Sequence, residues 1–164
     1  MNWRTNSWWQ LASGLTRFNL LRTAGDVVLL GRIVVVALLV PLLMRRPLAR
    51  VRHVIEPRVD PRSVGPAEAH RVLWLLNLAL EGLRPLLRTT CLTRGITRYY
   101  FLRRAGVDVS LAFGIARPGL ADVSGHCWLI KDGEPFLERR DPRPVFAELY
   151  RISPAFAGAR VAAC

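Results

Sequence analysis

The chain is nearly without lysine: of its 24 basic residues all but Lys131 are arginine, and only 12 acidic residues oppose them, for a net charge of +12. Such an excess suits nucleic acid, an anionic membrane surface or an acidic peptide partner. The arginines are scattered and no nucleic-acid motif accompanies them, which argues against nucleic acid. Cysteine is also scarce. Cys91, Cys127 and Cys164 are an odd number with no C-x-x-C spacing, so neither a disulfide framework nor a zinc site is expected, and the chain reads as one for a reducing compartment. No metal or other cofactor is implied. The small-residue cleavage pattern of a secretory signal is missing, which argues against export. Disorder is excluded by an apolar content of 51%, and 164 residues suffice for one compact domain with a short appendage.

What is present divides the chain in two. Trp3, Trp8 and Trp9 precede an apolar run over residues 27–44, interrupted by Gly31, Arg32 and Pro41 and followed by Arg45-Arg46. Eighteen residues is the lower limit for a membrane span, and a central arginine costs about 2.5–3.5 kcal/mol on insertion scales, although Arg32 is near enough to one end to snorkel. Membrane association and a buried helix both remain open. If the run inserts, Arg45, Arg46, Arg50 and Arg52 outweigh Arg17 and Arg22, and the rest of the chain stays in the cytoplasm. A proline-rich stretch over residues 56–62, with Gly65-Pro66 after it, reads as a linker. The expected division is an apolar helical region with linker over 1–62 and a second domain over 63–164.

Pro66 stands at a helix start, and Val72, Leu76, Ala79, Leu80 and Leu83 share one face of the helix that follows. His70 lies on that helix and His53 in an arginine-flanked turn; no nucleophile signal surrounds either, and both read as surface or packed side chains. A second helix opens at Cys91. Leu92, Ile96, Tyr99 and Leu102 recur at helical spacing, Thr90 is an N-cap, and Arg103-Arg104-Ala105-Gly106 supplies last-turn cations and a closing glycine. Beyond it, Val107, Val109, Leu111 and Phe113 alternate with smaller or polar residues as in a half-buried strand. A loop leads to a second strand, on which His126, Trp128 and Ile130 share one face and Cys127, Leu129 and Lys131 the other. Asp132-Gly133 is a hairpin turn that returns the chain through Phe136, Leu137 and Glu138. Helices followed by a small antiparallel sheet make the fold class α+β.

In the first turn of its helix, Cys91 would meet unpaired N–H groups and the positive end of the macrodipole, which favour a thiolate. His126, thirty-five positions on, is the candidate base. A cysteine–histidine pair needs a third polar group to fix the imidazole tautomer. Asp132 lies six residues along the same strand, about 20 Å away at strand rise, and is the weaker candidate. Glu138 reaches His126 if the hairpin has a three-residue turn with a glycine bulge, a register that also matches Ile130 with Phe136. A two-residue turn would instead send Glu138 to the other side of the sheet. Asp141 is a further candidate, although Pro142 suggests that it belongs to the exit turn. The alternative role for Glu138 is a strand carboxylate paired with Arg139 or Arg140. The Cys91 N–H could serve as one oxyanion donor, and Trp128 could wall the site or simply fill the core.

Cys91-Leu92-Thr93-Arg94 with Leu102, Arg103, Arg104 and Gly106, then His126-Cys127-Trp128 and Asp132-Gly133, resembles the transglutaminase-like cysteine peptidases of lasso-peptide biosynthesis, the B-protein leader peptidases. Their pattern is Cys-Leu-x-Arg, Leu-Arg-Arg-x-Gly, His-x-Trp and an Asp-Gly turn, and the likeness spans about residues 70–150. It implies a transglutaminase/papain-like core, with the nucleophile helix packed on a small antiparallel sheet. The activity implied is removal of the leader from a ribosomally made precursor peptide, Cys91 attacking the scissile carbonyl with His126 as base. The partners implied are the precursor, a separate leader-binding protein docking on the N-terminal helical region, and a lasso cyclase that receives the freed amine. No leader-binding module is expected within these residues. Two positions depart from the pattern: Glu138 stands where an aspartate is usual, and Cys127 where a small residue is usual. Cys127 is expected to face away from the nucleophile and to serve packing. Acyl transfer to an amine uses the same acyl-enzyme as hydrolysis and stays open as an alternative. A third reading is a non-catalytic, basic, membrane-associated binding module.

Overall fold

The computed structural model describes residues 24–47, 51, 54–56, 66–84, 90–117 and 124–153; the N-terminal tryptophans, His53, Cys164, residues 57–62 of the expected linker and the boundary near residue 62 lie outside them. Among the described residues, helices α1 (Ala24–Leu43), α2 (Pro66–Gly82) and α3 (Cys91–Arg104) precede strands β1 (Ser110–Ala116), β2 (Gly125–Lys131), β3 (Glu134–Phe136) and β4 (Phe146–Ile152). The strands form one antiparallel sheet in the order β3-β2-β1-β4. The α+β expectation holds.

The apolar face of α2 packs as its spacing predicts, with Val72, Leu76, Ala79, Leu80 and Leu83 buried together with Leu75. In α1 the apolar residues run all the way round the helix, and only one side finds protein to cover it. Ile33, Ala37 and Val40 are buried, and Asp26, buried at the first turn, is gripped by both arms of the Arg71 guanidinium from α2. Val27, Val28, Val35, Leu38, Leu39 and Leu42 remain exposed. The helix is long and apolar enough to cross a membrane, yet Ile33 and Val40 share a core with Leu75 and Leu76 of α2 and with Ile96 and Tyr99 of α3.

Both ends of α3 follow their local signals. The Thr90 side chain accepts from the Thr93 N–H at 3.3 Å. At the other end Gly106, at φ 71°, allows its own N–H to reach the Arg103 oxygen and the Val107 N–H to reach Leu102, the two bonds of a Schellman cap. That cap consumes Val107, so the first strand begins at Ser110 rather than at Val107. It is also covered on both sides. Leu111 faces the helical core, while Ala112 packs with Trp128 and Ile130 on the opposite face, so the expected half-buried alternation is replaced by two buried faces.

The β2–β3 turn also departs from expectation. Lys131 pairs with Glu134 and Leu129 with Phe136, leaving two turn residues, Asp132 (φ 52°) and Gly133 (φ 81°). Both lie in the left-handed region that a two-residue type I′ hairpin requires, so the three-residue register is wrong. Side-chain matching of Ile130 with Phe136 yields here to the turn geometry that Asp-Gly favours.

Candidate active site

The first turn of α3, the start of β2 and the exit of β3 converge at one end of the sheet. Cys91 is the first residue of α3, partly exposed, with Sγ 3.8 Å from the Gly125 carbonyl oxygen. The N–H groups of Cys91 and Leu92 precede the first intrahelical bond, which runs from the Arg94 N–H to the Thr90 oxygen at 3.1 Å.

The His126 ring is held from three sides. Nε2 lies 3.5 Å from a Glu138 carboxylate oxygen. The Trp128 indole stacks on one side, with centroids 6.0 Å apart and planes 18° apart, and Phe146 packs at 5.0 Å. Gly114, opposite His126 in the β1–β2 register, gives that indole its place: a Cβ there would lie 2.9 Å from Trp128 Cη2 and 2.6 Å from the Ala147 main-chain oxygen. With Nε2 turned to Glu138, Nδ1 is the nitrogen left for Cys91.

Glu138 reaches the imidazole by a route that strand periodicity does not contain. In the two-residue register alternation would put its side chain on the other face. Regular strand geometry ends at Phe136, however, and Leu137 adopts φ 62°, a left-handed conformation uncommon for a residue other than glycine. The reversal at Leu137 brings the carboxylate back toward His126. Asp132 is not brought in: it sits at the far end of β2, its side chain 75% exposed and paired with Lys131. Asp141 binds Arg143 instead, accepting from the main-chain N–H and the guanidinium at 2.7–2.9 Å. His70 is exposed on α2.

The expectation for Cys127 is a side chain that faces away from the nucleophile. It points instead at the first turn of α3, with Sγ 3.0 Å from the Cys91 main-chain oxygen. The two faces of β2 follow strand alternation: Cys127 and Leu129 share a core with α3 while Trp128 packs on the other side. The helix packs on the Cys127 face of the sheet, and because Cys91 is its first residue, the first turn is met by Cys127 from beneath while His126 acts on the thiol from the neighbouring position on β2.

Hydrogen bonds from Cys127 and from His126, opposed by partial burial, bring the Cys91 thiol down to about 4. Hydrogen bonds to Cys91 and then to Glu138 raise His126 to about 9. The resting pair at neutral pH is therefore a thiolate and an imidazolium. Cys127 moves the other way, well above the ordinary thiol range, through its contact with Cys91 and its burial, and stays protonated. A thiolate poised beside an imidazolium whose far nitrogen is held by a carboxylate can attack a carbonyl and then protonate a leaving amine. Among the described residues, no group of three or more His, Cys, Asp and Glu side chains could hold a metal ion. A shallow hollow lined by Asp108, Ser110, Asp132, Gly133 and Arg151 lies at the other end of the sheet from Cys91.

A family profile described as the transglutaminase-like superfamily matches residues 33–151. The chain belongs to the transglutaminase-like superfamily. The matched segment begins inside α1 and takes in Cys91, His126 and Glu138. Neither the curated proteins nor the solved structures give a match. For a transglutaminase-like chain, the Cys91–His126–Glu138 arrangement supports cysteine peptidase or acyl-transfer chemistry.

Proposed function

We propose that this protein is a cytoplasmic cysteine peptidase that removes the leader segment from a ribosomally made precursor peptide during lasso-peptide maturation. The observation that carries the chemistry is the junction of Cys91 at a helix N-terminus with His126, whose Nε2 lies 3.5 Å from Glu138. The substrate class rests on the motif set around Cys91, His126 and Asp132-Gly133. In this mechanism the Cys91 thiolate attacks the scissile carbonyl, with the Cys91 N–H facing the oxyanion. His126 then protonates the leaving amine, which becomes the new N-terminus of the core peptide. Water, deprotonated by the now neutral His126, releases the leader from the thioester. Glu138 holds the ring orientation through both steps. A separate leader-binding protein delivers the precursor and a cyclase consumes the freed amine. The exposed apolar side of α1, with Arg32, Arg45 and Arg46 also exposed, supports peripheral attachment to an anionic membrane surface.

The test is mass spectrometry of a candidate precursor incubated with the protein and its leader-binding partner, using wild type, Cys91→Ala and His126→Ala. Release of intact leader by wild type alone is the expected result. Covalent capture of an added amine in place of hydrolysis would assign acyl transfer instead. No turnover, with the partner shown to bind the leader, would overturn the peptidase reading.

A further inference from the structure

The strand pairing that carries Phe146 to the imidazole contains one break. Phe113 of β1 pairs with Tyr150 of β4, but Gly114 pairs with Glu148, so Leu149 is passed over as a bulge. Phe113 and Tyr150 lie on the helix face of the sheet, with ring centroids 6.1 Å apart. Unbroken alternation from Tyr150 would put Phe146 on that same face. A one-residue slip reverses it, and Phe146 falls opposite Ala116, on the face that holds His126 and Trp128. On this face β1, which runs between β2 and β4, presents Gly114 and Ala116, so the strand places nothing larger than a methyl group between Phe146 and His126. The two ring centroids are 5.0 Å apart and the planes 32° apart, so the phenyl ring turns its π face, rather than its edge, toward the imidazole.

We propose that Phe146 is a positioning residue for the base: its ring, delivered to this face by the bulge at Leu149, lies against the His126 imidazole, favours the charged ring over the neutral one and holds it with one nitrogen toward Glu138 and the other toward Cys91. The proposal deepens the reading of His126 as the partner of Cys91 and rests on it. A cation within about 6 Å of an aromatic centroid is attracted by the negative π face, and an imidazolium stacked in this way keeps its edge, where both N–H groups lie, open to hydrogen bonds. The Trp128 indole, at 6.0 Å, adds a second and more distant face. Of the ionisable groups around the ring, Cys91 comes from α3 and Glu138 from the exit of β3. Glu148, the carboxylate that β4 presents opposite Gly114, is held by Arg151 at 2.6 Å. A phenyl ring carries neither net charge nor hydrogen-bonding atoms, so it can favour the imidazolium without competing with either partner for a nitrogen.

The experiment is an NMR titration of His126 with labelled histidine in the full chain, for wild type, Phe146→Leu and Phe146→Tyr. It needs no peptide substrate, so its answer is separate from whether the protein is a leader peptidase. Leucine keeps apolar bulk against the imidazole and removes the π face, and the His126 midpoint should fall by about half a pH unit. Tyrosine keeps the ring and should titrate as wild type does. A contact that only packs would leave Phe146→Leu at the wild-type midpoint. That result, a midpoint that rises, or a tyrosine variant displaced as far as leucine overturns the proposal. A readout that needs no substitution at Phe146 is the chemical shift of the carbon-bound ring protons of His126. Under the face of the phenyl ring they should resonate upfield of those of the exposed His70, and coincident positions also overturn the proposal.

Discussion

Replacing Glu138 by glutamine removes a negative charge 3.5 Å from Nε2 of His126 while leaving the side chain's shape nearly intact. At that separation two unit charges interact by about 1 kcal/mol in water and about 5 kcal/mol at the effective dielectric of a protein surface. The two side chains are 24% and 25% exposed, which places the pair between those limits. About 2 kcal/mol is the working value, equivalent to a fall of about 1.5 in the histidine pKa. Starting from about 9, His126 in Glu138→Gln should titrate between about 7 and 8. Cys91 has the larger influence on the imidazole, so Cys91→Ala should lower it further than Glu138→Gln does. The assay is an NMR titration with labelled histidine, practical because the chain has only three histidines and His126→Ala identifies the resonance. The same change has a kinetic signature. Cys91 ionises as the pH rises through about 4 and His126 loses its proton through about 9, so the ion pair, and activity with it, occupies the interval between. Glu138→Gln should draw the falling limb toward neutrality and leave the rising limb nearly in place. A His126 titration identical in wild type and Glu138→Gln would refute the role of Glu138 as the third member of the site.

Gly114→Ala should destabilise by about 2–3 kcal/mol in urea unfolding, because the new methyl group meets the Ala147 oxygen and the Trp128 ring at under 3.0 Å and main chain cannot yield cheaply. Asp132→Ala should cost at most about 1 kcal/mol for placing alanine at φ 52° and should leave the cleavage rate at the wild-type level; a large loss of rate would restore Asp132 to the site. Arg71→Ala takes the guanidinium from the buried Asp26 carboxylate and should lower the midpoint of thermal or urea unfolding. Leu137→Gly accepts the left-handed backbone and should keep His126 titrating high, whereas β-branched Leu137→Ile resists it and should lower both that pKa and kcat.

The residues of the site were more legible in the sequence than their arrangement, and the reason differs from one residue to the next. Cys91 was readable because everything that places it is local: a capping threonine before it and an arginine pair and glycine at the far end of the same helix. Asp132-Gly133 marks a turn, but its length is not legible from side-chain matching: pairing Ile130 with Phe136 points to three residues where Asp-Gly forms two. The three-residue register that would bring Glu138 to His126 is not the one formed, and Glu138 reaches the imidazole because Leu137 breaks the alternation. Leucine carries no preference for that backbone conformation, so tertiary packing must impose it. Alternation puts Cys127 on its proper face of the strand but leaves its neighbour illegible, since period two says which residues share a face and nothing about which face a helix will cover. Gly95 and Gly114, glycines inside a helix and a strand, are the signals of close approach that the sequence carries.

The same division explains α1, whose composition satisfies a membrane span and a buried helix equally. Only the bidentate grip of Arg71 on Asp26 and the seating of Ile33 and Val40 against α2 and α3 reveal that one face belongs to the domain. At the active site, periodic structure brings its parts near one another and irregularities aim them. β4 skips Leu149 in its pairing with β1, a bulge beside Gly114 next to the His126 ring, and β3 ends at Phe136, after which the left-handed Leu137 turns Glu138 back. Cys91 belongs fully to neither helix nor sheet, since it stands at the terminus where the helix leaves its N–H groups unpaired. A site assembled from element ends and breaks in register draws its geometry from long-range packing. Substitutions that restore local regularity there, at Leu137 above all, should therefore harm the chemistry more than the fold.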